Sequence, residues 1–423
     1  GPRAEEHSGE NAPPQCRGAG AGVHAAAPKR ARQQGWDGWV RRGAGDTGAA
    51  LDVVMAEAGE AGEAGGEERA GGAPERVRRS CWECVQRLDR AGAAAACRLD
   101  REQALRLADR LAPALLEKPT PQGVRFPLQF PDPTAEVSLL ALLGLMNFGS
   151  GWRAELHRAS GAGAYQTVQR GVIGLFLKDP QVRAETLAAV SASEVESWFD
   201  IQARVEVSHP ELGPAVRQVV DSPLAPLVQR LQRVLNESGR ILLEKQQQSL
   251  GHFILAALAA QRASAPGAAG PSAAALVDSL VGAFPALQDE GACLGDRVFL
   301  YKKAQLIAAD LFRRFGETDE RFAFRDFHTL TAFADNVLPA VLRKEGVLRL
   351  APALAQAIDQ GASLPNTEDE VALRASAVAA IESMATHIGV SAPDLDFYLW
   401  GVLGKADGYR SFPRHSAKNT VFY

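Results

Sequence analysis

Cysteine is scarce in this chain: five residues among 423, too few and too scattered for the disulfide framework of a small secreted domain. A reducing compartment, the cytoplasm, is the default expectation, with nucleus and organelles left open. Neither sign of charge dominates. Lys and Arg number 46 against 50 Asp and Glu, a formal net charge of −4. There is thus no basic footprint for duplex DNA or long RNA, and the expected partner is a small molecule. Long apolar runs are also missing. The best stretch, Ala256 to Ala275, is interrupted by Gln261, Arg262, Ser264, Pro266 and Gly267, so no membrane span is expected. The eight histidines form no H-E-x-x-H or similar pair, and the lone C-x-x-C, Cys81-Trp82-Glu83-Cys84, has no second pair at motif spacing. Zinc needs four ligands, and a thioredoxin-like role needs a βαβ setting. No metal or other cofactor is expected, and the two cysteines read as core packing. Nucleophile elbow, Walker loop and dinucleotide fingerprint are all absent.

What is present divides into two materials. Residues 1–75 are rich in Gly, Ala, Glu and Arg, with the low-complexity run Ala56 to Gly72. Such a segment buries too little apolar surface to offset its conformational entropy, and a disordered tail is expected. The chain opens on Gly1-Pro2 without Met, which reads as a processing scar with any targeting peptide already removed. Residues 76–423 carry helical spacing, as at Leu300, Ala304, Ile307, Leu311 and Phe315, or Val371, Val378, Ile381, Met384 and Ile388. Strand-like alternation is scarce. Gly123 to Pro131 is the main candidate, and its prolines demote it to an edge piece or loop. Gln261 to Ser272 reads as a loop within one core. The expectation is a single mainly helical, all-α domain, monomeric, behind a disordered tail.

One carboxylate stands out. Asp335 lies in the apolar run Leu330 to Leu348 (LTAFADNVLPAVLRKEGVL), and burying an acid is costly unless something holds its charge. Asp335 and Asn336 are both good helix caps, and Pro339 fits a first helical turn. Val337, Leu338, Val341 and Leu342 then recur at helical spacing. Asp335 is therefore placed at a helix mouth beside Phe333, where the helix dipole favours negative charge.

Other candidates are weaker alone. The Gly-rich stretch Asn147 to Gly151, followed by Trp152, suits either a helix-to-helix turn or a loop that brings backbone N–H groups to a ligand, with Phe148 and Trp152 as stacking surfaces. Val234 to Lys245 places Asn236, Glu237 and Arg240 within an amphipathic helix, where they can pair locally. Lys302 and Lys303 put two cations on a helix with Gln305 and Asp310. Near the C-terminus, Asp396, Phe397, Tyr398 and Trp400 set an acid among three aromatics, a composition that suits a flat heterocycle or plugs a core.

In order along the chain, NFGSGW, VLNESGRILLEK, FLYKKAQLIAAD, LTAFADNVLP, EVALRA, LDFYLW and TVFY resemble the queuosine salvage family over roughly residues 100–423. The resemblance implies an all-α fold related to helix-hairpin-helix DNA glycosylases. It also implies an enzyme that hydrolyses the bond between queuine and the ribose of queuosine 5′-monophosphate. On that mapping Asp335 is the catalytic carboxylate at the reacting centre, kept anionic to stabilise the sugar's charge and to orient or deprotonate the attacking water. Phe333, Asn147, Phe148, Trp152, Asn336, Asp396, Tyr398 and Trp400 surround the substrate, Asp396 reading donor groups on the base, and Lys303 is a phosphate or structural contact. Two departures stand at pocket positions. Gly401 follows Trp400 where the family carries Asp, and Leu143 to Met146 replaces an expected Thr-Asp pair. They leave two other readings open: a non-catalytic nucleotide- or base-binding paralogue, or an N-glycosidase for a different modified nucleotide.

Overall fold

The computed structural model describes residues 72–117, 123–364 and 368–423. The stretch read as a disordered tail falls outside them up to residue 71; its last three residues, Ala73 to Glu75, already belong to the first helix, which Pro74 opens in its first turn. The helices are α1 (Ala73–Ala91), α2 (Arg101–Glu117), α3 (Pro133–Leu145), α4 (Arg153–Ser160), α5 (Ala164–Lys178), α6 (Ala184–Ala188) and α7 (Ala192–Phe199). There follow α8 (Ala225–Glu244), α9 (Leu250–Ser264), α10 (Ala273–Ala283), α11 (Lys302–Phe315) and α12 (Val337–Lys344). The last three are α13 (Pro352–Asp359), α14 (Glu368–Ile388) and α15 (Ala392–Gly401). The fold is mainly helical.

Two helices form the centre. In α3 the Asp132 side chain accepts from the Ala135 N–H at 3.0 Å, and every residue from Val137 to Leu145 is buried. α14 is likewise buried nearly all round, and it packs against α1, α2, α12 and α15. Helices apolar on every side have no solvent face to present and must be enclosed. α11 crosses α3 so closely that a Cβ at Gly144 would stand 2.4 Å from Ile307 Cγ1. That contact occupies the place where the family resemblance expected a polar pair.

Strands are short pairs. β1 (Cys97–Leu99) pairs antiparallel with β6 (Leu348–Leu350), Cys97 opposite Leu350. β4 (Glu290–Cys293) and β5 (Asp296–Phe299) form a hairpin closed by Leu294-Gly295, both at positive φ, and it delivers the chain to Lys302. β2 (Arg204–His209) and β3 (Gly213–Asp221) form a second, exposed hairpin that was not expected. Gly123 to Pro131 contains no strand; Pro127 and Pro131 remove the donors a ladder needs. Helix α9 runs through Gln261 to Ser264, so the expected loop begins only after Ser264. The cysteines divide: Cys81 and Cys97 are buried and free, whereas Cys84 on α1 is disulfide-bonded to Cys293, 209 residues away. Packing alone thus describes only half of the C-x-x-C pair.

Candidate active site

The segment Thr331 to Asn336 joins α11's neighbourhood to α12 with no regular secondary structure, and buried side chains from other elements hold several of its polar groups. The Gln305 side chain of α11 accepts from the Thr331 N–H and donates to its hydroxyl, both at 2.9 Å. The Phe333 N–H donates to Asp396 Oδ2 at 2.7 Å. Arg374, at the heart of α14, donates to the Ala334 carbonyl at 2.9 Å. That guanidinium is itself held by both oxygens of Asp289 and by Glu370, and all three side chains are about 2% exposed. Asn336 Nδ2 donates to the His415 carbonyl at 3.1 Å, pinning the C-terminal segment against the same loop.

Asp335 sits at the mouth of α12, with Asn336 at the cap position. The Asn336 side chain makes no cap bond; the Asp335 carboxylate does so instead, its Oδ1 accepting from Val337 N–H at 2.6 Å and Leu338 N–H at 3.4 Å. Its other oxygen, Oδ2, accepts from the Trp400 indole N–H at 3.0 Å. Asp335 is buried, at 9% exposure.

Aromatics line the neighbourhood. Trp400 meets Tyr165 of α5 edge-on at 5.7 Å, and Phe333 meets Phe397 at 5.8 Å. The Arg313 guanidinium lies 3.4 Å from the Phe397 ring centre, and Lys405 caps the Trp400 ring at 4.6 Å. Lys302 Nζ donates to the backbone and side-chain oxygens of Asn147 at 3.1 and 3.2 Å. Burial lowers its pKa, while the charge of Asp335 works in the opposite direction.

Two more carboxyl groups complete the cluster. Burial pushes Asp396 up to about 8; the Phe333 N–H opposes the shift and the charge of Asp335 adds to it. The direction of this shift favours the protonated form, and with Oδ2 accepting from Phe333 a proton on the other oxygen could be donated, whereas the sequence suggested an acceptor. Burial likewise raises Asp310 of α11 to about 7, with Arg313 and Lys302 opposing. Among the described residues Asp310, buried at 7% exposure, makes no side-chain hydrogen bond. Gly401, where an acid was expected, faces open space; Asp396 is the acid that feels the charge of Asp335, and Asp310 shares with both the charge of Lys302.

The structure thus gathers Asp335, Asn336, Phe333, Asp396 and Trp400, and reaches Asn147 through Lys302. The other candidates lie elsewhere. Lys303 is wholly buried, donates to the Leu145 carbonyl at 2.8 Å, and stands 5.0 Å from the Phe148 ring centre; burial and Lys302 hold its pKa far below the usual lysine range. Phe148 and Trp152 are core residues, each 2% exposed, with Arg230 over the Trp152 ring. Tyr398 is half-buried on α15. The glycines of the Asn147 loop serve chain packing: Gly149 N–H donates to the Tyr423 carbonyl at 3.1 Å, and a Cβ on Gly151 would stand 2.2 Å from the Ala417 carbonyl oxygen. Arg313, Arg374 and Tyr165 were not singled out, and Lys302 and Asp310 were noted only as part of a charged helix. The usable signal was polar residues recurring inside otherwise apolar helices, as Arg374 does within EVALRA. Among the described residues no group of three His, Cys, Asp or Glu side chains could hold a metal ion.

Residues 185–423 match the family model described as queuosine salvage protein. A protein of Sphaerobacter thermophilus, named queuosine 5′-phosphate N-glycosylase/hydrolase, is 31% identical over 290 residues, covering 64% of this chain and 85% of the relative. Proteins of the same name from Mus musculus (31% over 202 residues) and Nematostella vectensis (28% over 224) align over 44% and 47% of this chain. There the aligned region spans less than two thirds of the relative, 56% and 59%. Asn147, Arg153 and Tyr165 lie ahead of the family-model match, whereas Lys302, Asp335, Arg374, Asp396 and Trp400 lie within it.

Proposed function

The chain belongs to the queuosine salvage protein family, and we propose that it is an N-glycosidase that hydrolyses queuosine 5′-monophosphate, releasing queuine for salvage into tRNA modification. The observation that carries the reading is the Asp335 carboxylate, fixed at a helix mouth and by the Trp400 indole, with the raised-pKa carboxyl of Asp396 and the Phe333–Phe397 pair next to it. Breaking the bond to C1′ sends its electron pair to the base nitrogen and leaves oxocarbenium character on the sugar. Asp335 stabilises that charge and accepts a proton from the attacking water, whose oxygen bonds to C1′. The neutral Asp396 carboxyl donates to the departing base, and Asp310 and Tyr165 border it. Two carboxyl groups in contrasting environments so divide the acid and base roles.

We assign this activity to the domain from residue 76 onward, on a scaffold related to helix-hairpin-helix DNA glycosylases, acting as a cytoplasmic monomer on a free nucleotide. No helix among the described residues is long and apolar enough to cross a membrane. The test is incubation with queuosine 5′-monophosphate while free base is measured. Multiple turnover is expected, and Asp335→Asn should lower kcat by about 10³-fold with substrate still bound. Tight binding of nucleotide without any base release would establish the non-catalytic reading instead.

A further inference from the structure

The TVFY stretch has no part in the chemistry described so far, yet its tyrosine reaches the centre of the protein. Tyr423 is 2% exposed. The Arg374 guanidinium lies over its ring, 4.6 Å from Cζ to the ring centre, and His415 meets the ring edge-on at 5.8 Å. The hydrogen bonds of that guanidinium go to other groups: Nε donates to the Ala334 carbonyl, Nη1 to Asp289 and Glu370, and Nη2 to Asp289. Such bonds hold the planar fork within its own plane, whereas a ring on its face resists tilting out of that plane. The main chain of Tyr423 is engaged as well. Its carbonyl accepts from the Gly149 N–H at 3.1 Å, close to Asn147, whose oxygens take the Lys302 ammonium. The segment leading to Tyr423 is fastened along its length. The Asn336 side chain donates to the His415 carbonyl at 3.1 Å, the Leu364 N–H to the Ser416 carbonyl at 2.6 Å, and Arg230 Nε to the Lys418 carbonyl at 3.1 Å.

We propose that Tyr423 is a positioning residue for the reaction: its ring steadies the Arg374 fork, the fork fixes the Ala334 carbonyl, and Asp335 is thereby held against the Trp400 indole. The proposal rests on the hydrolase reading above, because it concerns the placement of the carboxylate which that reading uses. The relay is short. Ala334 directly precedes Asp335, so a rotation of the peptide between them moves the carboxylate, and a misplacement of about 1 Å at a reacting group can cost about 10²-fold in rate. The contact on which it depends is also a strong one of its kind. A cation over an aromatic face is attracted most where water is excluded, and here the ring and the guanidinium are each 2% exposed. A tyrosine that only filled the core would support every part of the fold alike; one that steadies Arg374 acts first on the Asp335 loop.

The experiment uses the full chain in two arms, with Tyr423→Phe, which keeps the ring, and Tyr423→Leu, which keeps an apolar side chain without a π face. The first arm needs no turnover. Hydrogen exchange of the Trp400 indole N–H, the donor to Asp335 Oδ2, is followed by NMR beside the backbone amides of Val277 and Leu280, both fully buried in α10. In Tyr423→Leu the indole should accelerate roughly 10- to 30-fold more than the α10 amides, and in Tyr423→Phe the two should stay in their wild-type ratio. The second arm measures hydrolysis of queuosine 5′-monophosphate. In Tyr423→Leu kcat should fall roughly 10- to 30-fold with KM within about twofold of wild type, and Tyr423→Phe should retain wild-type values. Equal acceleration of Trp400 and α10, a Tyr423→Phe as impaired as Tyr423→Leu, or a Tyr423→Leu with wild-type kcat each overturns the proposal. Should Tyr423→Leu not fold, phenylalanines fluorinated step by step on the ring and placed at position 423 keep the shape while draining the negative face. A stepwise loss of Trp400 protection with fluorination supports the proposal, and a flat series overturns it. If wild type releases no base, the hydrolase reading fails, while the exchange arm still decides whether Tyr423 holds Asp335 in place.

Discussion

The loop from Thr331 to Asn336 and the hairpin β2–β3 invert the usual association of regular structure with order. The loop has no ladder and no helix, yet all six residues are 9% exposed or less, and side chains from α11, α14 and α15 hold its backbone. The hairpin has a regular antiparallel register from Arg204↔Asp221 inward, yet no strand residue is buried, and Val219 is 60% exposed. Backbone pairing alone satisfies the hairpin locally. Apart from the Asp335 carboxylate, which caps the helix that follows, and a weak Thr331 hydroxyl contact, the loop's hydrogen-bonded groups find their partners elsewhere in the fold, and those imported groups offset their desolvation. A carboxylate that must keep its place during a reaction belongs on the second kind of segment.

The sharpest way to break the contrast is to remove the loop's deepest support. Arg374→Met keeps the volume but strands Asp289 and Glu370 without their counter-ion and frees the Ala334 carbonyl. Breaking a buried ion pair from one side costs about 3–5 kcal/mol. Urea denaturation should show a loss of that size, with kcat falling as Asp335 loosens. A loss below about 1 kcal/mol would mean that the loop is held by its other contacts.

A smaller effect is expected at Asp396, and pH exposes it. An unfolded Asp titrates near 3.9, whereas in the fold this carboxyl is pushed up to about 8. Between these values the unfolded chain has released a proton that the folded protein retains, so its contribution makes stability fall as pH rises from about 4 to about 8 and then level off. Asp396→Asn should remove that slope in denaturation midpoints measured at pH 5, 7 and 8.5. Asn still offers an N–H donor toward the base, so activity should drop only modestly and lose its decline above pH 8. A variant whose stability follows the wild-type pH profile would show that Asp396 is ionised at neutrality.

Much of the helical framework was legible, because burial on one face imposes a period that composition cannot hide. The spacing of Ala304, Ile307, Leu311 and Phe315 marks α11, with Leu300 just ahead of its cap, and that of Val371 to Ile388 marks α14. Asp335 was legible as a cap because capping is local chemistry; its bond to Trp400, 65 residues on, could be approached only through the order of motifs. Rotational phase was not legible. Lys302 and Lys303 are adjacent, but one residue turns a helix by about 100°, so one ammonium reaches Asn147 and the other the Leu145 carbonyl. Long-range pairs such as Arg374–Asp289 and Cys84–Cys293 have no spacing rule at all. The β2–β3 hairpin escaped notice because neither of its faces is buried, so its valines build no apolar stripe for periodicity to detect.

That same exposure sets the smallest expected effect. Val219 projects from β3 with 60% of its surface in solvent, and it carries no polar contact. Val219→Thr preserves the β-branched shape and therefore the strand preference, and substitutions at such surface positions usually stay within about 0.5 kcal/mol. Stability and base release should both match wild type. If base release falls while the denaturation midpoint does not move, the hairpin contributes to the reaction from outside the buried cluster, and the division between a functional loop and a peripheral hairpin fails. If the midpoint falls instead, the exposed face is covered in solution, and size-exclusion chromatography with light scattering would show whether a second copy covers it.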